Sequence, residues 1–237
     1  VVNKLKTLHF AMVLMLNYKG ELMKIRFLVS IILSLLVFVG CDKKNKISQS
    51  PSSLKKIVLV DGNYTLKTQK SKLNWIGKEL STKTHTGTLD LKNGEIQINS
   101  DGQIEGFINI DMTTINVTDL EGQWKNKLEG HLKSPDFFGV SNHPKASIRF
   151  NGNSKSILNN QIELSGELAI KNITHPISFI AEIMEKEEML QIKTKIEFDR
   201  SKYNVRFRSG SFFDNLGDKL ILDDINVDVI VFASLKN

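Results

Sequence analysis

Thr118-Asp119-Leu120-Glu121-Gly122-Gln123-Trp124-Lys125-Asn126-Lys127-Leu128-Glu129-Gly130-His131-Leu132-Lys133-Ser134-Pro135-Asp136-Phe137-Phe138 is the stretch whose reading decides the fold. Leu120, Trp124, Leu128 and Leu132 recur every four residues, which predicts one helical face. Thr118 with Glu121 three positions later fits a capping box and predicts the helix start there. Pro135 predicts its end, because the residue before a proline is pushed out of the helical region. Beyond the N-terminal leader this is the one convincing helical pattern. A lone amphipathic helix among strands closes one end of a β core, and taken alone these residues say no more than that.

On either side the period changes from four to two. Tyr64, Leu66, Leu73 and Trp75 precede Leu89 and Leu91, and Lys92-Asn93-Gly94 then separates these from Ile96 and Ile98. An Asn-Gly pair between alternating runs predicts a hairpin. Ser100-Asp101-Gly102 predicts a second turn, leading to Ile104, Ile108 and Ile110. After the helix, Ala146, Ile148 and Phe150 alternate with Ser147 and Arg149, and Asn151-Gly152 predicts another turn. Ile162, Leu164, Leu168 and Ile170 follow, then Ile177, Phe179, Ala181 and Ile183, then Ile192, Ile196 and Phe198, and a last strand over about residues 220–232. Strands with one apolar and one polar face close most economically as a barrel or sandwich. A closed barrel of about eight strands is just wide enough to fill with side chains or to hold one small ligand. Gly106 and Gly166, inside strands, predict bends or close approach by another group.

The chain has 237 residues, 41% of them hydrophobic, enough for one large β domain and a leader. Its net charge of +6 sits unevenly: residues 1–40 hold five basic residues and one acidic, leaving +2 for the rest. A nearly balanced domain lacks the basic footprint of a nucleic-acid binder. The single cysteine, Cys41, excludes an intrachain disulfide framework.

Lys24 and Arg26 precede an apolar run from Phe27 to Val39, the pattern of a signal-peptide h-region. The run ends Val37-Phe38-Val39-Gly40-Cys41, which resembles the lipobox of bacterial lipoproteins, although Phe38 stands three before the cysteine where that pattern has Leu. Residues 23–40 are therefore expected to be a lipoprotein signal peptide, with Met23 the start, residues 1–22 an upstream extension, and Cys41 the lipidated residue. Residues 41–61, rich in Lys, Asn and Ser at their start, are expected to be a flexible tether. The domain is expected over 62–237.

Gly130-His131-Leu132-Lys133-Ser134-Pro135-Asp136-Phe137-Phe138, with His143-Pro144 and Ile148-Arg149-Phe150, resembles the YceI-like family of lipid- and polyisoprenoid-binding proteins. Four other stretches agree in order: Leu73-Asn74-Trp75 with Gly87, Asp111-Met112-Thr113-Thr114-Ile115, the run from Gly166 to Ile177, and Asp199-Arg200-Ser201-Lys202-Tyr203 with Ser209-Gly210-Ser211-Phe212-Phe213. The third follows the family's G-x-L-x-I-x-G-x-T pattern, with Asn172 where the pattern often has Gly. The resemblance implies an all-β, lipocalin-like antiparallel β-barrel of about eight strands, with one amphipathic helix near its mouth. It implies an apolar interior holding an isoprenoid lipid of quinone or polyprenol type, and a periplasmic or secreted protein.

The expected wall residues, chosen by alternation and size, are Trp75, Ile108, Trp124, Phe137, Phe138, Leu168 and Phe179. Arg200, Arg206 and Arg208 are read as a salt-bridged outer face or, in the sharper reading, as partners of a ligand head group. Asp136 is expected to pair with Arg149 or Arg208. Asp214, Asp218, Asp223, Asp224 and Asp228 lack calcium-loop spacing and read as solvated turn and strand-edge charge. His85, His131, His143 and His175 are scattered without metal-ligand spacing, and there is no Gly-x-Ser-x-Gly elbow. No metal site, cofactor or catalytic residue is expected. The leading expectation is a membrane-tethered carrier in the cell envelope, facing the periplasm or cell surface, with a homodimer left open. The alternatives are an envelope stress or adhesion protein and a lipid-modifying enzyme.

Overall fold

In the computed structural model, the residues described are 57–81 and 83–236. The expected signal peptide, the upstream extension, Cys41 and most of the expected tether lie outside them. Nine strands and one helix follow in order: β1 (Gly62–Leu66), β2 (Lys72–Lys78), β3 (Thr84–Ile98), β4 (Gln103–Val117), α1 (Gly122–Lys133), β5 (Lys145–Asn153), β6 (Gln161–Ile170), β7 (Ile173–Lys186), β8 (Met189–Asp199) and β9 (Asp224–Leu235). Each strand pairs antiparallel with the next from β2 round to β9, and β9 returns to pair with both β1 and β2. β1 and β2 share one lane, since β1 pairs with the end of β3 and β2 with its beginning. The result is a closed eight-stranded antiparallel barrel, which leaves no sheet edge.

Alternation builds the interior. Ile96, Ile98, Ile104, Ile162, Leu164 and Ile183 are all buried, each stabilising by about 1.5–3 kcal/mol relative to exposure. Ile57 and Leu59, within the segment expected to be tether, pack partly against this core.

Two predicted turns are not turns. Asn93-Gly94 lies inside β3, which continues unbroken to Ile98. The spacing from Leu91 to Ile96 is odd, so a strand can keep both inside only by changing phase. It does so through irregular pairing with β4 between Leu91 and Asn93, as a β-bulge does. Asn151-Gly152 lies inside β5, and the chain turns only at Ser154–Ser156. Gly152 is there because a side chain would collide with Leu164, 2.6 Å from the position of its Cβ.

The turn predicted at Ser100-Asp101-Gly102 forms. Gly102 turns β3 into β4 with φ +93°. At the β6–β7 connection Lys171 and Asn172 have φ +51° and +61°. Asn tolerates that conformation better than most residues, which is how it stands where the family pattern has Gly.

Gly166 is a close approach: an added Cβ would lie 1.9 Å from the carbonyl oxygen of Arg149 on β5.

The helix begins later than the capping box predicts. Its first residue is Gly122, with no side-chain cap. Thr118 is held instead by Thr86, through its N–H to the Thr86 carbonyl (2.9 Å) and between hydroxyls (3.1 Å). These bonds prolong the β3–β4 pairing and use up the residues that would cap. α1 is fastened to β4 by Val117 N–H donating to Glu129 Oε1 (2.9 Å) and Lys125 Nζ donating to Asn116 Oδ1 (2.7 Å).

Candidate functional site

Four connections gather at one end of the barrel: residues 79–83, the α1 segment between β4 and β5, the tight β6–β7 turn, and the long segment 200–223 between β8 and β9. A cavity of about 220 Å³ lies inside this end. Its deep wall is apolar: Leu73 and Trp75 from β2, Leu89 from β3, Ile110 from β4, Ala146 from β5, Leu168 from β6 and Val227 from β9. Gly77, Met112, Ile115, Ile170 and Ile225 line it nearer the mouth. One layer further in, Ile108, Ile148, Phe150, Leu164, Phe179 and Val229 are buried against each other. The barrel is thus hollow in one half and filled in the other.

The lid of the cavity is α1 and the aromatic residues after it. Leu128, His131 and Leu132 face inward from the helix, followed by Phe137 and Phe138. The His131 ring meets Phe137 and Phe207 edge-on, with centroids 5.6 and 4.3 Å apart, and Phe137 lies 5.3 Å from Phe138. Such edge-to-face pairs fix a lid more firmly than area burial alone.

The expected wall residues separate on this geometry. Trp75, Phe137, Phe138 and Leu168 line the cavity. Ile108 and Phe179 are interior but belong to the filled half, where Phe179 meets Phe150 edge-on at 6.2 Å. Trp124 points to solvent, 61% exposed, and the expectation that it walls the cavity is corrected. Residues four apart on a helix advance by more than one turn, so the stripe drifts. Leu128 and Leu132 sit over the cavity and Trp124 falls off the edge. Trp75 packs against Gly87, where an added Cβ would come within 2.3 Å of the indole. Its buried Nε1–H has no acceptor among the described residues.

The three arginines also divide. Arg200 is fully buried and cannot meet a head group. Its guanidinium donates to the carbonyls of Val205 (2.9 Å), Ile221 (3.1 Å) and Leu222 (3.2 Å), and pairs with Asp223 Oδ1 at 3.2 Å. It also lies 5.4 Å from the Phe137 ring. Burial lowers its pKa, and Asp223 and Asp199 oppose that. Asp223, expected to be solvated turn charge, instead also accepts from Ser209 Oγ and Ser211 Oγ at 2.8 Å each. Arg206 is exposed, on an outer groove. Arg208 lines both the cavity and that groove, as does Phe207. Asp136 is exposed and pairs with neither expected arginine among the described residues: Arg149 lies over Phe107 at 6.0 Å and Arg208 over Phe207 at 5.1 Å.

The polar groups at the cavity rim are Lys78, Glu79, His85, His131 and Arg208. His85 Nδ1 lies 2.8 Å from Asp119 Oδ2, and Thr86 N–H donates to Asp119 Oδ1 at 2.8 Å. Burial works to raise the Asp119 pKa, but these two bonds outweigh it and hold the carboxyl below its ordinary value. The sequence reads the two rim histidines only as scattered, because they are 46 positions apart and share no local pattern. Among the described residues no cluster of three His, Cys, Asp or Glu side chains is placed to hold a metal ion.

The YceI-like domain family matches residues 64–233. The chain belongs to the YceI-like family. Two solved structures similar to this YceI-like barrel are BcnA of Burkholderia cenocepacia and a polyisoprenoid binding domain from Saccharophagus degradans implicated in plant cell wall breakdown. The first is 14% identical with a TM-score of 0.57, covering 71% of this chain and 99% of BcnA. The second is 13% identical with a TM-score of 0.53, covering 73% of this chain and 98% of that domain. At such identities the likeness is one of fold. No curated protein matches the sequence.

Proposed function

We propose that this YceI-like protein binds a long-chain isoprenoid lipid, of quinone or polyprenol type, in the hollow half of its barrel, and sequesters or carries it as a membrane-tethered envelope lipoprotein. The observation that carries this reading is the apolar cavity of about 220 Å³ under an aromatic lid, with its charged groups confined to the rim. Membership of a family with a polyisoprenoid binding domain among its structural neighbours supports it. The apolar run ending in Gly40-Cys41 supports the tether.

The apolar part of such a ligand is held by burial, at about 25 cal/mol per Å², less the cost of ordering it. The cavity is smaller than the roughly 300–1,000 Å³ of a drug-sized ligand pocket. A long chain therefore enters only if Phe137, Phe138, Leu128 and Leu132 swing outward, or if part of it stays outside. Arg208 and the rim histidines stand where a polar head would emerge. An enzymatic reading would need polar groups converging inside the pocket, and the deep wall offers none beyond the Trp75 indole N–H.

Native mass spectrometry of protein purified without detergent, with organic extraction of what rides along, tests the proposal. A stoichiometric isoprenoid mass is the expected result. An empty protein that also rejects added polyprenols and quinones would overturn it.

A further inference from the structure

The end of the barrel that holds the cavity presents side chains that neither the core nor the cavity uses. Leu80 on the 79–83 connection, Trp124 on α1, and Phe212 and Phe213 on the 200–223 segment are 56%, 61%, 40% and 50% exposed. At the opposite end the exposed large apolar residues among those described are aliphatic: Val58, Val60, Leu158 and Leu235. The exposed aromatic rings are therefore concentrated at the mouth. They come from separate segments, brought to one end by the up-and-down topology.

Cations cover two of these rings. Lys127 Nζ lies 5.6 Å from the centre of the Trp124 ring, and the Arg206 guanidinium 4.8 Å from that of Phe212. Arg206, Lys171 and Arg208 line the outer groove with Phe213 and Leu216. Lys171 is held by the carbonyls of Phe137 (3.0 Å) and Asn204 (2.8 Å). The acidic groups nearby are Asp136, which lines the same groove, Asp214 and Asp218 on the same segment, and Glu121 and Glu129 at and on α1. An amphipathic ring beside a cation suits the headgroup layer of a bilayer, where Trp is enriched and basic residues meet anionic lipid.

We propose that the mouth end of the barrel docks directly on the surface of a bilayer containing anionic lipid, with Trp124, Phe212 and Phe213 seated in the headgroup layer. Charge complementarity selects this occupant, and continuity supports it. Phe207 and Arg208 wall both the cavity and the outer groove, so the docked face adjoins the cavity. An apolar ligand then passes between bilayer and barrel without crossing water. The docking itself stands on the exposed residues, whatever the cargo.

Trp124 reports this contact, because Trp75 is the only other tryptophan of the chain. The experiment uses the full chain carrying Trp75→Phe, mixed with phosphatidylcholine vesicles containing about one third phosphatidylglycerol. The expected result is a blue shift of Trp124 emission, with quenching by lipids brominated near the top of the acyl chain. Lys127→Glu and Arg206→Glu are each expected to weaken this binding at least roughly fivefold. The apolar leader can carry the protein onto vesicles unaided, so co-flotation alone is not the readout. Protein that floats with the vesicles while Trp124 keeps the emission of a water-exposed indole would overturn the proposal and leave the patch to a protein partner. If Trp75→Phe does not fold, the difference spectrum between the unmodified chain and Trp124→Phe gives the same reading. Cargo is measured separately by extraction, so failure of docking and failure of lipid carriage are told apart.

Discussion

Fully buried Arg200 and half-buried Asp223 form an ion pair, 3.2 Å from Nη2 to Oδ1, that ties together the two ends of the segment between β8 and β9. Arg200 N–H also donates to the Asp223 carbonyl at 2.8 Å. The pair holds the segment that carries Phe207 and Arg208 over the cavity. Removing one partner of a buried pair leaves an uncompensated charge. Asp223→Asn is expected to cost about 3–5 kcal/mol, read by denaturant unfolding. A double-mutant cycle with Arg200→Met is expected to show the double variant more stable than the sum of the two single losses implies. Strictly additive losses would show that the pair does not act as a unit.

Gly166 and Gly130 should respond to alanine in opposite directions. An added Cβ at Gly166 meets the Arg149 carbonyl at 1.9 Å, so strands β5 and β6 must separate. A loss of about 3 kcal/mol or more is expected, at the upper end for overpacking. At Gly130, inside α1, nothing lies within 4 Å. Gly130→Ala is expected to stabilise by about 0.8–1 kcal/mol through helix propensity. Thermal unfolding of the two variants checks both signs.

Ala146 faces the hollow half from β5. Ala146→Phe is expected to fill part of the cavity, leave the barrel folded and reduce co-purified lipid to a small fraction. Phe179→Leu, in the filled half, is expected to lower stability by about 1 kcal/mol while retaining the lipid. Extraction and mass spectrometry of the two proteins, normalised to folded protein, would show whether the assigned half is the one that matters.

Asp119 makes the acid stability of the mouth measurable. Its carboxyl is held below the ordinary value of 3.8 in the folded protein. A lowered folded pKa contributes stability above the unfolded value, and that stability is lost as pH falls through the folded value. The loss is therefore expected to begin near pH 3.8 and to continue below it. Asp119→Asn is expected to flatten this limb of the stability–pH curve while leaving the neutral plateau lower, since Thr86 and His85 lose a charged acceptor. An unchanged acid limb would remove Asp119 from the account.

Much of the barrel was legible in the chain because alternation is a local property. Ile162, Leu164, Leu168 and Ile170 announce an inward face through their own spacing, and the structure puts all four inside. The misread turns at Asn93-Gly94 and Asn151-Gly152 show the limit of local chemistry. Both dipeptides are good turn formers, but pairing along the neighbouring strands outweighs two residues of turn preference. The fate of Arg200 was illegible for another reason. Its partners Val205, Ile221, Leu222 and Asp223 come together only when the segment closes on itself.

The sequence by itself determined the architecture: alternating strands, a single helix between two of them, and motifs in YceI-like order. Only the tertiary structure decided where the barrel is hollow. Ile108 and Ile110 are both apolar, both buried and on the same face of β4, yet only Ile110 lines the cavity. Alternation records which face a side chain takes. Whether space remains beside it depends on depth along the barrel axis and on the volumes arriving from seven other lanes, which no single strand encodes.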